Sequence, residues 1–272
     1  MPTLEARGVE LSWSERGRGE AVLLIHETAT TSAAWEPVAA AVADGPQGAP
    51  GARAIAYDRR GWGASTAPVG YQRTTVEEQS EDAAALVEAL ELGPAALCGA
   101  GLGAVIALDL LLRRPELVAG AVLVEPPVLA LLPEATAALS EDRAELEAAV
   151  RDRGGEGAVS LYLSGGLRAL GPGCERLPDG LTAEARQRPA GLFAELGAGP
   201  AWGMPLRRLG EARGPALILT GASTPPLLRE AAGALAARLR GAEAVQVDAG
   251  AGPPHLDSPE RVAALAIGLA GR

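Results

Sequence analysis

Short apolar runs and amphipathic helical patterns take turns along this chain, and no other feature narrows its fold so far. The runs "AVLLIHE" (21–27), "ARAIAYDRRG" (52–61), "AALC" (95–98), "VAGAVLVEPP" (118–127), "GPALILTG" (214–221) and "AEAVQVDAG" (242–250) each read as a buried strand. Between them lie "SAAWEPVAAAVAD", "TTVEEQSEDAAALVEALEL" and "PLLREAAGALAARLRG", with apolar residues at helical spacing, and a last helix begins at Pro259. Ser32 stands where a helix N-cap is wanted. Successive parallel strands need helical crossovers, so the alternation predicts a mostly parallel sheet with helices on both faces. "TLEARG" and "VELSWSERG" add an opening pair of strands, which makes eight.

The alternation stops once. Residues 128–209 show only helical pieces, such as "SEDRAELEAAVRDRGG" and "TAEARQRPAGLFAELG", separated by Gly and Pro. The predicted organisation is a core made of 1–127 and 210–272 with a helical lid over 128–209. In open parallel sheets ligands bind at the strand ends such a lid would cover.

Composition removes several classes of function. The net charge of −10 disfavours nucleic acid, because phosphate binding needs clustered basic residues. The pairs Arg59-Arg60, Arg113-Arg114 and Arg207-Arg208 are scattered among acids and read as solvated surface. Two cysteines, Cys98 and Cys174, form no metal pattern, and neither a metal nor a cofactor is expected. No run reaches the ~18 apolar residues of a membrane span. The opening "MPTLEARGVELSW" lacks a signal-peptide layout, so a cytoplasmic protein is expected. All basic side chains are Arg and Ala, Gly and Pro abound, which suggests a GC-rich bacterial gene.

The stretch "PAALCGAGLGAVIALDLLLRRPE" (94–116) reads as strand, tight glycine turn and helix. Together with four other segments it resembles the α/β-hydrolase superfamily over essentially the whole chain. "LLIHETATTSAAW" is similar to the strand and loop that carry that family's oxyanion segment, and "YDRRGWGAS" to its D-x-R-G-x-G-x-S turn. "CGAGLGAVIALD" resembles the nucleophile elbow, "PALILTGASTPP" the turn that delivers an acid, and "DAGAGPPHLDSPERVA" the segment with the catalytic histidine. The resemblance implies an eight-stranded α/β-hydrolase sheet. It also shows departures: Gly101 stands at the nucleophile position, Ala222-Ser223-Thr224 where an Asp is usual, and Gly252 where ungapped alignment puts the histidine, with His255 matching a second His. A Ser-His-Asp acyl-enzyme route is therefore not expected.

What the resemblance leaves in the site is a backbone. The N–H of Leu102 opens the helix after the elbow and suits a carbonyl or carboxylate oxygen, and a second donor is expected at Glu27 or Thr28. His26, Glu27 and Glu125 are the candidate acid–base groups. Thr28, Gly101, Leu102, Trp35, Trp62 and His255 are candidate substrate contacts, and Asp58 is read mainly as holding its own turn. The expected function is non-covalent acid–base chemistry (lyase, isomerase, cyclase or water-mediated hydrolysis) on a small apolar carbonyl compound. The alternatives are a non-catalytic binding protein and a dinucleotide-binding protein. The last follows from Gly99-x-Gly101-x-x-Ala104 with Glu125 further on, although that fingerprint usually opens its domain. Because Gly101 carries no oxygen, a fluorophosphonate probe is expected to leave the folded protein unlabelled. Stoichiometric labelling that disappears on denaturation, read by intact-mass spectrometry, would reveal a nucleophile elsewhere.

Overall fold

The computed structural model describes residues 1–46, 50–203, 206–248 and 250–271. Its eight strands are β1 (Thr3–Ala6), β2 (Val9–Arg16), β3 (Ala21–Ile25), β4 (Arg53–Tyr57), β5 (Ala95–Ala100), β6 (Val118–Val124), β7 (Ala216–Gly221) and β8 (Ala242–Val247). They form one sheet in the order β1-β2-β4-β3-β5-β6-β7-β8, with β2 antiparallel to both β1 and β4 and every later pairing parallel. The eight-stranded, mostly parallel sheet expected from the alternation is the observed one. The expected strand 242–250 stops at Val247, and Ala249 lies outside the described residues.

All residues of β3 and β5 are buried, which is why these segments are unbroken apolar runs rather than alternating ones. The helices are α1 (Glu36–Asp44), α2 (Val76–Ala89), α3 (Leu102–Arg113), α4 (Ala135–Leu163), α5 (Asp179–Gln187), α6 (Pro189–Glu195), α7 (Leu206–Gly210), α8 (Pro226–Ala236), α9 (Pro254–Asp257) and α10 (Pro259–Ala270). One face of the sheet is closed by α1 and α10, whose Val38, Val42, Val262 and Ala266 pack on Val22, Leu24 and Val122. The other is closed by α2, α3 and α8, with Leu86, Ile106 and Leu235 on Leu23, Leu97 and Ile218.

Two local expectations are corrected. The first helical turn is capped by Thr31, whose hydroxyl accepts from Ala33 N–H, and Ser32 lies inside that turn. The segment 182–197 is not one helix. Proline forces its predecessor out of helical geometry, and Arg188 (φ −127°, ψ 69°) separates α5 from α6 at Pro189.

The helices α4 to α7 occupy the chain between β6 and β7, within which residues 204 and 205 are outside the described set. α4 bends at Gly154 (φ 68°). This segment has a small core of its own, in which Leu146, Val159, Tyr162 and Leu192 meet Ala29 and Trp62. No helix among the described residues is long and apolar enough to cross a membrane.

The glycines of the 94–116 stretch are accounted for by packing. A β-carbon on Gly99 would strike the Gly103 carbonyl, and one on Gly103 would strike the carbonyl of Ile25. α3 thus sits directly on β3 and β5, and the strand that precedes it is the fifth, not the first. Gly103→Ala pushes backbone against backbone and is expected to lower stability by about 1–3 kcal/mol, the usual range for overpacking. Denaturant unfolding would check this, and an unchanged midpoint would show that α3 can shift outward.

Candidate functional site

The turn from β5 into α3 brings Gly101 to the C-terminal edge of the sheet. Its backbone is at φ 51°, ψ −122°, and its N–H donates to the Val124 carbonyl at 3.1 Å. Glycine takes this positive φ without the steric cost that a side chain would bring. Leu102 opens α3, so its N–H has no carbonyl one turn back and points out of the helix end.

Glu27 follows β3 and crosses in front of that turn. A β-carbon on Gly101 would lie 2.9 Å from Glu27 Cβ and 3.6 Å from Glu27 Oε2, so the glutamate side chain lies directly beside the space that a residue-101 side chain would take. Its other oxygen, Oε1, lies 3.3 Å from Nε2 of His255. His255 comes from α9, is 1% exposed, and lies against the Trp35 indole with ring centroids 4.7 Å apart. The loop after β8 therefore delivers its histidine to the elbow, although ungapped alignment puts Gly252 at the family's histidine position. Neither ring nitrogen of His255 has a hydrogen bond, which leaves the carboxylate as its polar neighbour.

A cavity of about 430 Å³ opens over this pair. Glu27, Thr28, Gly101, Leu102, Glu125 and His255 all line it, together with Leu129, Leu139, Leu170 and Leu228. From the chain between β6 and β7 come Tyr162, Cys174, Arg176 and Glu195. Burial pushes the Tyr162 phenol well above its ordinary value, so it is a hydroxyl donor throughout the physiological range. Burial likewise pushes the Cys174 thiol up to about 12, which removes it as a nucleophile.

Four of the residues singled out in the sequence fall outside this wall. Trp35 supports His255 from behind. Trp62 is fully buried, edge-on to His26 at 6.5 Å. His26 was read as an acid–base group, and the structure corrects that reading. Arg59 N–H is an obligatory donor and reaches His26 Nε2 at 3.0 Å, so Nε2 carries the lone pair. The proton is therefore on Nδ1, which donates to the Glu27 carbonyl at 2.9 Å. The ring has no free nitrogen, and it holds the two loops in register. Asp58 also serves a turn, accepting from Ser32 N–H and Ala64 N–H at 2.9 Å each.

Glu125 does reach the cavity, but not as a free carboxylate. Arg176 donates to Oε1 at 3.1 Å and to Oε2 at 2.5 Å, and the Thr224 hydroxyl donates to Oε1 at 2.6 Å. With both oxygens engaged, it is an ion-pair partner and not a group waiting for a substrate proton, which corrects the acid–base role read from its position. The residue that sequence reasoning missed is Arg176. It sits in a short turn, Cys174–Arg176, with no motif around it. Glu195 was missed likewise; it receives two hydrogen bonds from Arg59, at 2.5 and 3.1 Å, and Arg59 and Arg60 are both buried against acids rather than solvated as their sequence setting suggested.

Burial, followed by the Arg59 charge, holds the His26 imidazole well below 6.5, against a smaller opposing pull from the Glu27 carbonyl. The unfolded chain takes up a proton near pH 6.5 and the native ring does not. Stability is therefore unaffected by His26 above that pH and falls as pH drops below it, by up to about 1.4 kcal/mol per unit. The chain has two histidines, so two imidazole signals are expected by NMR. The His26 signal should keep its neutral position down to pH 5. Titration with a midpoint near 6.5 would overturn this.

Residues 22–265 match the model of a family described as the alpha/beta hydrolase family. An epoxide hydrolase of Caballeronia sordidicola is 35% identical over 113 residues, which are 42% of this chain and 33% of that protein. The matched segments span 33% to 46% of the lengths of the curated relatives. Among solved structures, a hydrolase from Pseudomonas aeruginosa PA01 superposes with a TM-score of 0.73 at 22% identity, over 100% of this chain and 98% of that one. The enol-lactonase of Burkholderia xenovorans LB400 superposes at 0.68 with 22% identity, over 99% and 98%. At that identity the two structures speak to the fold.

Proposed function

The chain belongs to the alpha/beta hydrolase family, and from that premise we propose that it hydrolyses a small, mostly apolar ester or lactone without a covalent enzyme intermediate. The carrying observation is the Glu27–His255 pair at the elbow, in a family fold whose turn here ends in Gly101 and offers no side-chain nucleophile. Glu27 Oε2 borders the place where a hydroxyl on residue 101 would stand, so a water held there lies beside a base.

In this reading the water attacks the carbonyl carbon while Glu27 takes its proton. The oxyanion rests at the N-terminal end of α3, near the Leu102 N–H, where the helix end carries about half a positive charge. The C–O bond of the leaving group then breaks, and the alkoxide recovers the proton from Glu27 or, through it, from His255. His255, 3.3 Å from Oε1, is the neighbour with which Glu27 can exchange the proton. The helices between β6 and β7 act as a lid, joined to the core by Arg59–Glu195, by Arg176–Glu125 and by the Trp202 indole N–H, which donates to Asp109 at 2.8 Å. They keep bulk water off the reacting carbon.

Glu27→Gln preserves size and removes the base. It is expected to lower kcat on a turned-over lactone or ester by about 10²–10⁴-fold with little change in KM. A panel of aliphatic lactones and short-chain esters, followed by proton release, would check it. Wild-type turnover by Glu27→Gln sinks the proposal, and tight binding of the panel without any product makes the protein a ligand carrier instead.

A further inference from the structure

The acid–base pair accounts for one end of the cavity and leaves the Glu125–Arg176 pair without a role in the reaction. That pair joins the end of β6 to the turn Cys174–Arg176, and both residues line the cavity. Their side chains are 6% and 10% exposed. The carboxylate and guanidinium meet fork to fork, the geometry in which two parallel hydrogen bonds fix the planes of both groups.

Two further features set the pair apart from an ordinary buried ion pair. Glu125 sits at φ 48°, in the left-handed region, although it has a side chain. Such a residue persists where its surroundings over-determine it, and these positions gather at ligand sites. Here the Glu125 N–H donates to the Leu219 carbonyl at 2.9 Å, and the Thr224 hydroxyl holds Oε1. In addition, the fork takes one N–H of Arg176 Nη2 and leaves the second without a partner. A guanidinium N–H left unpaired in this way is costly unless something else accepts from it.

The charges around the wall decide what that something is. Of the acids lining the cavity, Glu195 is met by Arg59 and Glu125 by Arg176. Glu27 faces a histidine and no arginine. Arg176 is the arginine of the cavity wall, and its charge is already matched. An entering carboxylate finds no unpaired arginine among the described residues that line the cavity, and it meets the charge of Glu27 in a medium that screens poorly. An uncharged group that both accepts and donates suits the fork, accepting from the spare Nη2 N–H of Arg176 and donating a hydrogen bond to a remaining lone pair of Glu125.

We infer that the Glu125–Arg176 pair is a second recognition subsite of this cavity, selecting substrates that carry a carboxamide or hydroxyl away from the reactive carbonyl and rejecting their carboxylate counterparts. This rests on the hydrolytic reading for the reactive end of the substrate. The recognition itself can be measured without turnover.

The probes are methyl ketones, which the enzyme cannot hydrolyse: oxoheptanamide, oxoheptanoate and an aminohexanone of similar length. Calorimetry on the wild-type protein is expected to show the carboxamide binding at least about tenfold more tightly than the carboxylate. Glu125→Gln keeps the shape of the fork and uncovers the arginine charge, so the carboxylate should equal or overtake the carboxamide. Arg176→Gln is the reciprocal variant and avoids the strained position. It uncovers the glutamate charge and should favour the ammonium ketone, which keeps the test readable if Glu125→Gln does not fold. Equal wild-type affinities for carboxamide and carboxylate, a preference unmoved by both substitutions, or no binding of any ketone would each overturn the inference. A full-speed Glu27→Gln enzyme would refute the hydrolytic reading alone, because these ratios do not depend on turnover.

Discussion

The seating of α3 on the sheet is the constraint from which the rest of this molecule follows. Gly99 and Gly103 lack the β-carbons that would collide with the Gly103 and Ile25 carbonyls, so helix and strands meet backbone to backbone. That contact brings the N-terminus of α3 to the edge of β3 and β5. Gly101 then turns through positive φ to join them. A helix end, with its outward N–H groups and partial positive charge, is thereby fixed at the floor of a cavity. Glu27 and His255 gather beside that point.

The surrounding loops are held by backbone bonds that leave particular side chains free. His26 spends both ring nitrogens on the loops after β3 and β4, and Asp58 spends both oxygens on neighbouring N–H groups. With those two committed to architecture, Glu27 is left to face the elbow and His255. Trp35 backs the histidine with an indole face, which fixes the ring without using its nitrogens. The division is economical in physical terms, since a polar group with all of its partners inside the protein orients others and has little left to exchange with a ligand.

The chain between β6 and β7 completes the wall, joined to the core through charge. Arg59 and Glu195 are both almost fully buried, and so are Arg176 and Glu125 to within a tenth of their surfaces. Removing one member of such a pair leaves an unmatched charge in a poorly screening medium, so each acts as a strong geometric constraint on where the helices sit. The cavity in consequence has an apolar roof, one carboxylate–imidazole pair at the elbow and two neutralised glutamates, Glu125 and Glu195, on its wall.

Local pattern alone determined a good deal of this protein. Period-two and unbroken apolar runs marked the strands and 3.6-residue spacing marked the helices, because those periods are set by backbone geometry within a few residues. The order of five motifs fixed the sheet type, and the identity of residue 101 showed that the elbow has no hydroxyl. Gly101, Leu102, Thr28 and Glu27, which line the cavity, were legible as candidate site residues because they lie beside motif positions on the chain. The structure was needed wherever function depends on which of several equally plausible polar groups is already occupied. His26 and Glu125 looked as available as Glu27 in the sequence, and their partners, the Arg59 amide and the Arg176 guanidinium, lie 33 and 51 residues away. His255 stood in an offset position by alignment, and only the path of the loop after β8 brings it to 3.3 Å from Glu27. Burial and pairing are properties of neighbours distant in the chain, and no local period records them.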